Sequence, residues 1–201
     1  MRRHVSHLAL ALFMMGLGSL PRLAHADTVI NPQAGVQGTN RSNEPADITD
    51  KARLGYSFGG NLRLGGMAYI APGAYYQRTA VKRTERDAVT LNTITDDVAV
   101  HSVYLPVLFG VGLMSPAAGA RSFGLRAFVG PAATIVTSVE SNALNLTKDD
   151  YRQTTWGGQF GVGVDISTIT LDASYEKGFT NELHGSDAKR NVIRGVFGVK
   201  L

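Results

Sequence analysis

The chain has no cysteine, and of its five histidines only His101 and His184 lie beyond residue 26. A disulfide framework, a thiol nucleophile and a thiolate metal site are therefore excluded, and imidazole chemistry has at most two candidates. Long apolar runs are also missing. The one at residues 8–20 falls short of the roughly 20 residues a membrane-spanning helix needs, and no later segment reaches that length. Glycine recurs through the patterned segments at positions that would weaken a helix. These absences leave an all-β chain with little catalytic equipment.

Residues 1–26 carry the three parts of a secretory signal: Arg2 and Arg3, the short apolar run, and the small-residue site Ala24-His25-Ala26 before Asp27. The expected mature chain, residues 27–201, is long enough for one domain and too short for a barrel plus a second folded module. Loss of Arg2, Arg3 and Arg22 with the signal lowers the formal charge from +4 to +1. The basic isoelectric point is then no ground for a nucleic-acid partner.

The clearest strand reads Ile169, Leu171, Ala173, Tyr175 on one face and Thr170, Asp172, Ser174, Glu176 on the other. The closing run places Ile193, Gly195, Phe197, Val199 and Leu201 opposite Val192, Arg194, Val196, Gly198 and Lys200. This period-2 pattern predicts strands over residues 29–37, 54–62, 67–81, 98–113, 122–138, 153–167, 169–180 and 191–201. The connections alternate between long and polar (38–53, 82–97, 139–152 and 181–190) and short (62–66, 114–121 and Ser167-Thr168). Long extracellular loops alternating with short periplasmic turns are what an outer-membrane barrel with both termini inside requires.

Alternation alone also fits a soluble barrel turned inside out, and the polar face decides between the two. It carries Gly157, Gln159, Gly161, Gly163 and Asp165 in the sixth strand, and Gly124, Arg126, Phe128, Gly130, Ala132 and Thr134 in the fifth. A solvated exterior would be larger and more charged, whereas these residues suit the lumen of an eight-stranded barrel filled by its own side chains. The opposite face, with Phe123, Leu125, Ala127, Val129, Phe160, Val162, Val164 and Ile166, is continuous enough to meet lipid. Closure leaves no strand edge exposed to hydrocarbon. Tyr76, Trp156 and Phe179 share the apolar parity near the extracellular strand ends, where an aromatic girdle would sit.

Val103-Tyr104-Leu105-Pro106-Val107-Leu108, Leu125-Arg126-Ala127-Phe128-Val129-Gly130-Pro131, Gly161-Val162-Gly163-Val164-Asp165-Ile166 and Gly198-Val199-Lys200-Leu201 resemble the PorT-type outer-membrane β-barrel proteins of Bacteroidetes. The resemblance spans nearly the whole mature chain. It implies an outer-membrane barrel of about eight strands without an assigned activity, and its namesake is linked to protein secretion across the outer membrane. One departure is the end of the chain, Leu201 where such proteins commonly have Phe. Engagement by the barrel-assembly machinery during biogenesis would then rest on the apolar parity of Phe197, Val199 and Leu201.

Catalytic readings fare poorly. His101 and Ser102 are neighbours in a strand and point to opposite faces, so they cannot pair as base and nucleophile. His184-Gly185-Ser186 has a spacing that could share a face, but it sits in a polar loop. Asp47 with Asp50, Asp96-Asp97 and Asp149-Asp150 could offer oxygens to Ca²⁺, yet none has the spacing of a calcium loop. Gly158, Gly161 and Gly163 continue a strand where a nucleotide motif needs a helix. The sequence therefore predicts a closed, antiparallel, eight-stranded transmembrane β-barrel. It is expected to be non-enzymatic and without cofactor or metal, to be surrounded by outer-membrane lipid, and to act structurally or through a protein partner at its extracellular loops. A small pore is the first alternative and a lipid A-modifying enzyme the second.

The lumen is expected to hold a charge network of Arg126, Asp165, Asp172, Glu176, Arg194 and Lys200. A tight turn at Ser167-Thr168 sets Gln159 opposite Glu176. A loop centred near Gly185 would also set Glu176 opposite Arg194, with Asp172 and Lys200 as diagonal neighbours one layer lower.

Overall fold

In the computed structural model, residues 28–42, 48–86, 93–114, 123–144, 146–182 and 187–201 are described. The expected signal segment, Asp47 and His184-Gly185-Ser186 lie outside them. The strands are β1 (Thr28–Ser42), β2 (Ile48–Ala52), β3 (Leu54–Gly65), β4 (Ala68–Arg86), β5 (Thr93–Met114), β6 (Phe123–Val139), β7 (Thr154–Ile166), β8 (Ile169–Asn181) and β9 (Lys189–Val199). β2 and β3 form a single stave interrupted at Arg53: Ala52 pairs with Val81, pairing resumes at Tyr56 with Arg78, and the Arg53 N–H donates to the Ala80 carbonyl at 3.2 Å. Each stave pairs antiparallel with its sequence neighbours, and β1 pairs with both β3 and β9. The result is a closed barrel of eight staves.

The alternation read from the sequence is the alternation of inside and outside. Val129, Phe160, Phe179 and Ile193 project outward and exposed, as does Trp156, whereas Thr170, Glu176, Val192 and Arg194 are buried in the lumen. Ser167, in the two-residue turn between β7 and β8, takes a φ of 55°, a left-handed conformation found in such tight hairpins. Short turns and both described chain ends lie at one end of the barrel, which is therefore the periplasmic end.

Two expected loops are largely strand. Residues 38–53 and 82–97 read as polar connections, but β1 runs to Ser42, β4 to Arg86, and β5 begins at Thr93. β5 has 22 residues and β4 has 19, against the roughly 9–11 that cross a bilayer. Their upper parts stand above the membrane, where neither face meets lipid and the apolar–polar contrast that marks a strand in a sequence disappears.

The third long connection folds over the barrel mouth. Tyr151, in the segment between β6 and β7, is buried with the inward-facing Val81, Val98, Val100 and Val136, and Leu144 and Leu146 pack against this group. Backbone bonds fix the plug: Tyr151 N–H donates to the Lys148 carbonyl at 3.1 Å and Arg152 N–H to the Glu182 carbonyl at 2.9 Å. Below it the lumen is filled in layers, with Tyr75, Tyr104 and Ala132 near mid-height and Ala71, Leu108 and Phe128 beneath them.

Candidate functional site

The charged lumen residues gather in two clusters. Near the periplasmic end, Asp165 accepts from Arg63 at 2.9 Å and from Arg126 at 3.2 Å, with the Lys200 ammonium 3.8 Å away. Arg126 also pairs with Asp172, whose other oxygen accepts from Gln33 at 3.0 Å. Gly163 stands in register between Arg126 and Asp172, and a Cβ there would overlap the Asp172 carboxylate and the Arg126 guanidinium. The missing side chain is what lets this pair form across the strand between them.

Nearer the extracellular end, both oxygens of Glu176 are engaged, one by Arg190 at 2.9 Å and the other by Arg194 at 3.1 Å. Arg190 also donates to Thr134 at 2.6 Å. Arg194 donates to Gln37 at 3.1 Å and Gln77 at 3.3 Å, and it lies 4.2 Å above the centre of the Tyr104 ring. Between the clusters, Gln33 joins Asn61 and Tyr75, while Tyr104, Gln159 and Ser174 form a second chain. A cavity of about 30 Å³ remains among these side chains, large enough to hold water.

Of the six residues expected in the lumen, Glu176 and Arg194 meet in one cluster and Arg126, Asp165, Asp172 and Lys200 in the other. The turn register is as expected, Gln159 opposite Glu176. The second register is corrected. Glu176 stands opposite Val192, and Arg194 opposite Ser174. The base of the last loop is centred on residue 185, through Asn181 opposite Lys189, but an irregularity between Lys177 and Asn181 shifts the rest of β8 by two. Arg194 still reaches Glu176 because a guanidinium on its long stem spans the diagonal. Lys200 and Asp172 are not partners: Val196 faces Asp172, and Lys200 turns to Asp165. Arg63 and Arg190, which complete the clusters, escape a reading that placed them in a turn and a loop.

A third polar group lies outside the barrel, at the extracellular rim. Arg78 on β4 is paired with His101 on β5, and both reach Glu140 just past β6. Arg78 binds the two carboxylate oxygens at 2.7 and 3.0 Å, and His101 Nε2 lies 2.9 Å from one of them. The Tyr76 hydroxyl bonds the other ring nitrogen of His101. The Arg78 hydrogen bond, helped by His101, holds the Glu140 carboxyl down at about 2. Ser102 points inward and accepts from Gln77 at 3.0 Å, so His101 and Ser102 do face opposite sides. Among the described residues no three His, Cys, Asp or Glu side chains are grouped to hold a metal ion.

Solved structures similar to this chain include outer-membrane barrels. OprG from Pseudomonas aeruginosa superposes with a TM-score of 0.54 at 12% identity, covering 87% of this chain and 94% of that one. Ail of Yersinia pestis, solved with the heparin analogue sucrose octasulfate, gives 0.46 at 15% identity over 87% and 99% of the two chains. Neisserial surface protein A gives 0.45 at 14% identity over 86% and 97%. No curated protein matches the sequence. The family described as outer membrane protein beta-barrel domain matches residues 27–184, and the chain belongs to that family.

Proposed function

We propose that the protein is a non-enzymatic component of the outer membrane that acts through its extracellular surface and not as a conduit. The observation that carries this reading is the filling of the lumen by the described side chains. Among the described residues, an apolar plug, two ion-pair clusters and a hydrogen-bonded middle layer occupy the lumen around a cavity of about 30 Å³. A water-filled channel of the porin kind takes about 16 strands, and here five buried or half-buried cations would have to part from their carboxylates to open one. The accessory role in protein export that a PorT-type resemblance implies fits the exposed rim around Arg78 and Glu140, where a partner can dock without disturbing the lumen.

The enzyme alternative is weaker on the same geometry. Tyr76, His101 and Glu140 form a hydroxyl, imidazole and carboxylate series facing outward, but Arg78 engages both oxygens of Glu140. The carboxylate that would orient a catalytic base is already neutralised by an ion pair. Planar-bilayer recording of the purified barrel tests the main reading. No discrete conductance steps are expected, and steps that persist in the unmutated protein would restore the pore.

A further inference from the structure

At the periplasmic end of the lumen Arg63, Arg126 and Lys200 share Asp165 and Asp172, so three cations meet two carboxylates. One positive charge has no counterpart in this cluster. The Arg63 side chain is 9% exposed and uses Nη1 on Asp165, whereas its buried Nη2 has no hydrogen-bond partner among the described residues. The buried hydroxyl of Tyr69 has none among them either. The Arg63 guanidinium lies 5.6 Å from the centre of the Tyr69 ring, which puts both unpartnered groups in one layer of the lumen.

Room lies beside them on β5. Tyr69 pairs with Gly110, where a Cβ would overlap the Tyr69 hydroxyl, and the next inward residue, Gly112, pairs with Arg126. Among the described residues, a Cβ at Gly112 would meet nothing nearer than the Met67 carbonyl at 3.6 Å. The two glycines thus leave β5 bare between Tyr69 and Arg126, while the carboxylates Asp165 and Asp172 stand on β7 and β8. Lys200, 23% exposed and 3.8 Å from Asp165, stands at the periplasmic mouth. On the other side, Ala71, Leu108 and Phe128 form a buried layer against which Tyr69 packs.

We propose that this recess binds one small inorganic anion, held by Arg63 Nη2 and the Tyr69 hydroxyl and balanced by the unmatched charge of Arg63, Arg126 and Lys200. The donor set separates an anion from water. Higher in the lumen, the cavity of about 30 Å³ is lined by Arg194 and Asn61, which bring one unpartnered donor, Nη1, and one unpartnered acceptor, Oδ1. A water molecule answers both. In the periplasmic recess a guanidinium nitrogen and a hydroxyl both donate, and hydrogen bonds from a cation to an anion are the strong kind. An anion there also supplies the counter-charge that a desolvated cation requires. The site is independent of how the extracellular surface is used, and the buried layer of Ala71, Leu108 and Phe128 separates it from the rest of the lumen.

Bromide is the probe, because its anomalous scattering locates it. Crystals of the protein as purified from membranes, soaked in sodium bromide, should show one bromide bonded to Arg63 Nη2 and the Tyr69 hydroxyl. In detergent solution, replacing gluconate by bromide at fixed ionic strength should raise the urea midpoint, since a ligand of the folded state stabilises it. Tyr69→Phe, which keeps the ring, and Lys200→Met, which removes the excess charge, should each raise the half-effective bromide concentration about tenfold. Gly112→Val, which fills the recess, should abolish the response, and if it does not fold, the first two variants carry the test. Ser174→Ala, beside the upper cavity, should change the response less than about twofold. Water alone in the recess, bromide only in the upper cavity, equal midpoints in the two salts, or an undiminished response in Tyr69→Phe would each overturn the proposal.

Discussion

At the extracellular end of the lumen a single carboxylate, Glu176, serves two guanidinium groups beneath an apolar plug, whereas at the periplasmic end Asp165 and Asp172 share Arg63, Arg126 and Lys200 near the mouth. The side chain of Glu176 is 3% exposed, that of Asp165 18% and that of Lys200 23%. The pairing chemistry is the same, but the alternative differs. A charge released near the mouth can turn to bulk water, while one released under the plug faces buried side chains and one small cavity. The first cluster is therefore the stricter device, and the difference in solvation, not the number of bonds, sets what each residue is worth.

The comparison is sharpest at its most buried member. Glu176→Gln would leave Arg190 and Arg194 facing each other with no counter-charge between them, at an expected cost of about 3–5 kcal/mol in urea unfolding from lipid vesicles. Asp165→Asn at the other end should cost about 1–2 kcal/mol, between the buried and exposed limits, because water can reach Arg63 and Lys200. Lys200→Met, removing a contact of 3.8 Å, should cost about 1 kcal/mol or less. Equal losses at Glu176 and Asp165 would mean that water reaches both clusters, and the distinction drawn from burial would fail.

The inward and outward faces were legible in the sequence because lipid and lumen impose opposite polarity on successive residues, as in Ile169 to Glu176. The tight turn was equally legible, since two residues at Ser167-Thr168 leave one register for Gln159 and Glu176. What escaped was local or non-periodic. The irregularity between Lys177 and Asn181 changes register without altering the apolar pattern, and its only trace is Gly178, whose missing Cβ leaves room for the Arg190 carbonyl. The tall upper strands escaped because Lys82, Arg83 and Asp97 stand beyond the membrane, where no greasy face is required. The rim group of Arg78, His101 and Glu140 is dispersed over 63 residues of sequence and is brought together only by the pairing of β4, β5 and β6. Tyr151 gave no signal at all, being one aromatic in a polar segment.

The smallest expected effect concerns how the plug is held. Glu140 begins the segment that carries Tyr151, and Asp96 on β5 accepts from the Ala143 N–H of that segment at 2.6 Å. The hydrogen bond from Ala143, with that from Asp97, holds the Asp96 carboxyl below its ordinary value, as Arg78 and His101 do for Glu140. Both carboxyls are depressed on folding, so what each contributes is whole above its ordinary value and is lost as the pH falls below it, for Glu140 between 4.5 and about 2. Glu140 is exposed and screened, so its share is about 1 kcal/mol or less. That is too little to unfold the barrel, but it bears on the segment it anchors. Amide hydrogen exchange should therefore show the protection of Ala143 and Tyr151 falling between pH 4.5 and 2 while that of Glu176 and Val192 persists, and Glu140→Gln should remove much of the pH dependence. If the plug and the buried cluster lose protection together, they open as one unit, and the seal over Glu176 is part of the barrel's own cooperativity, not a lid fastened from outside.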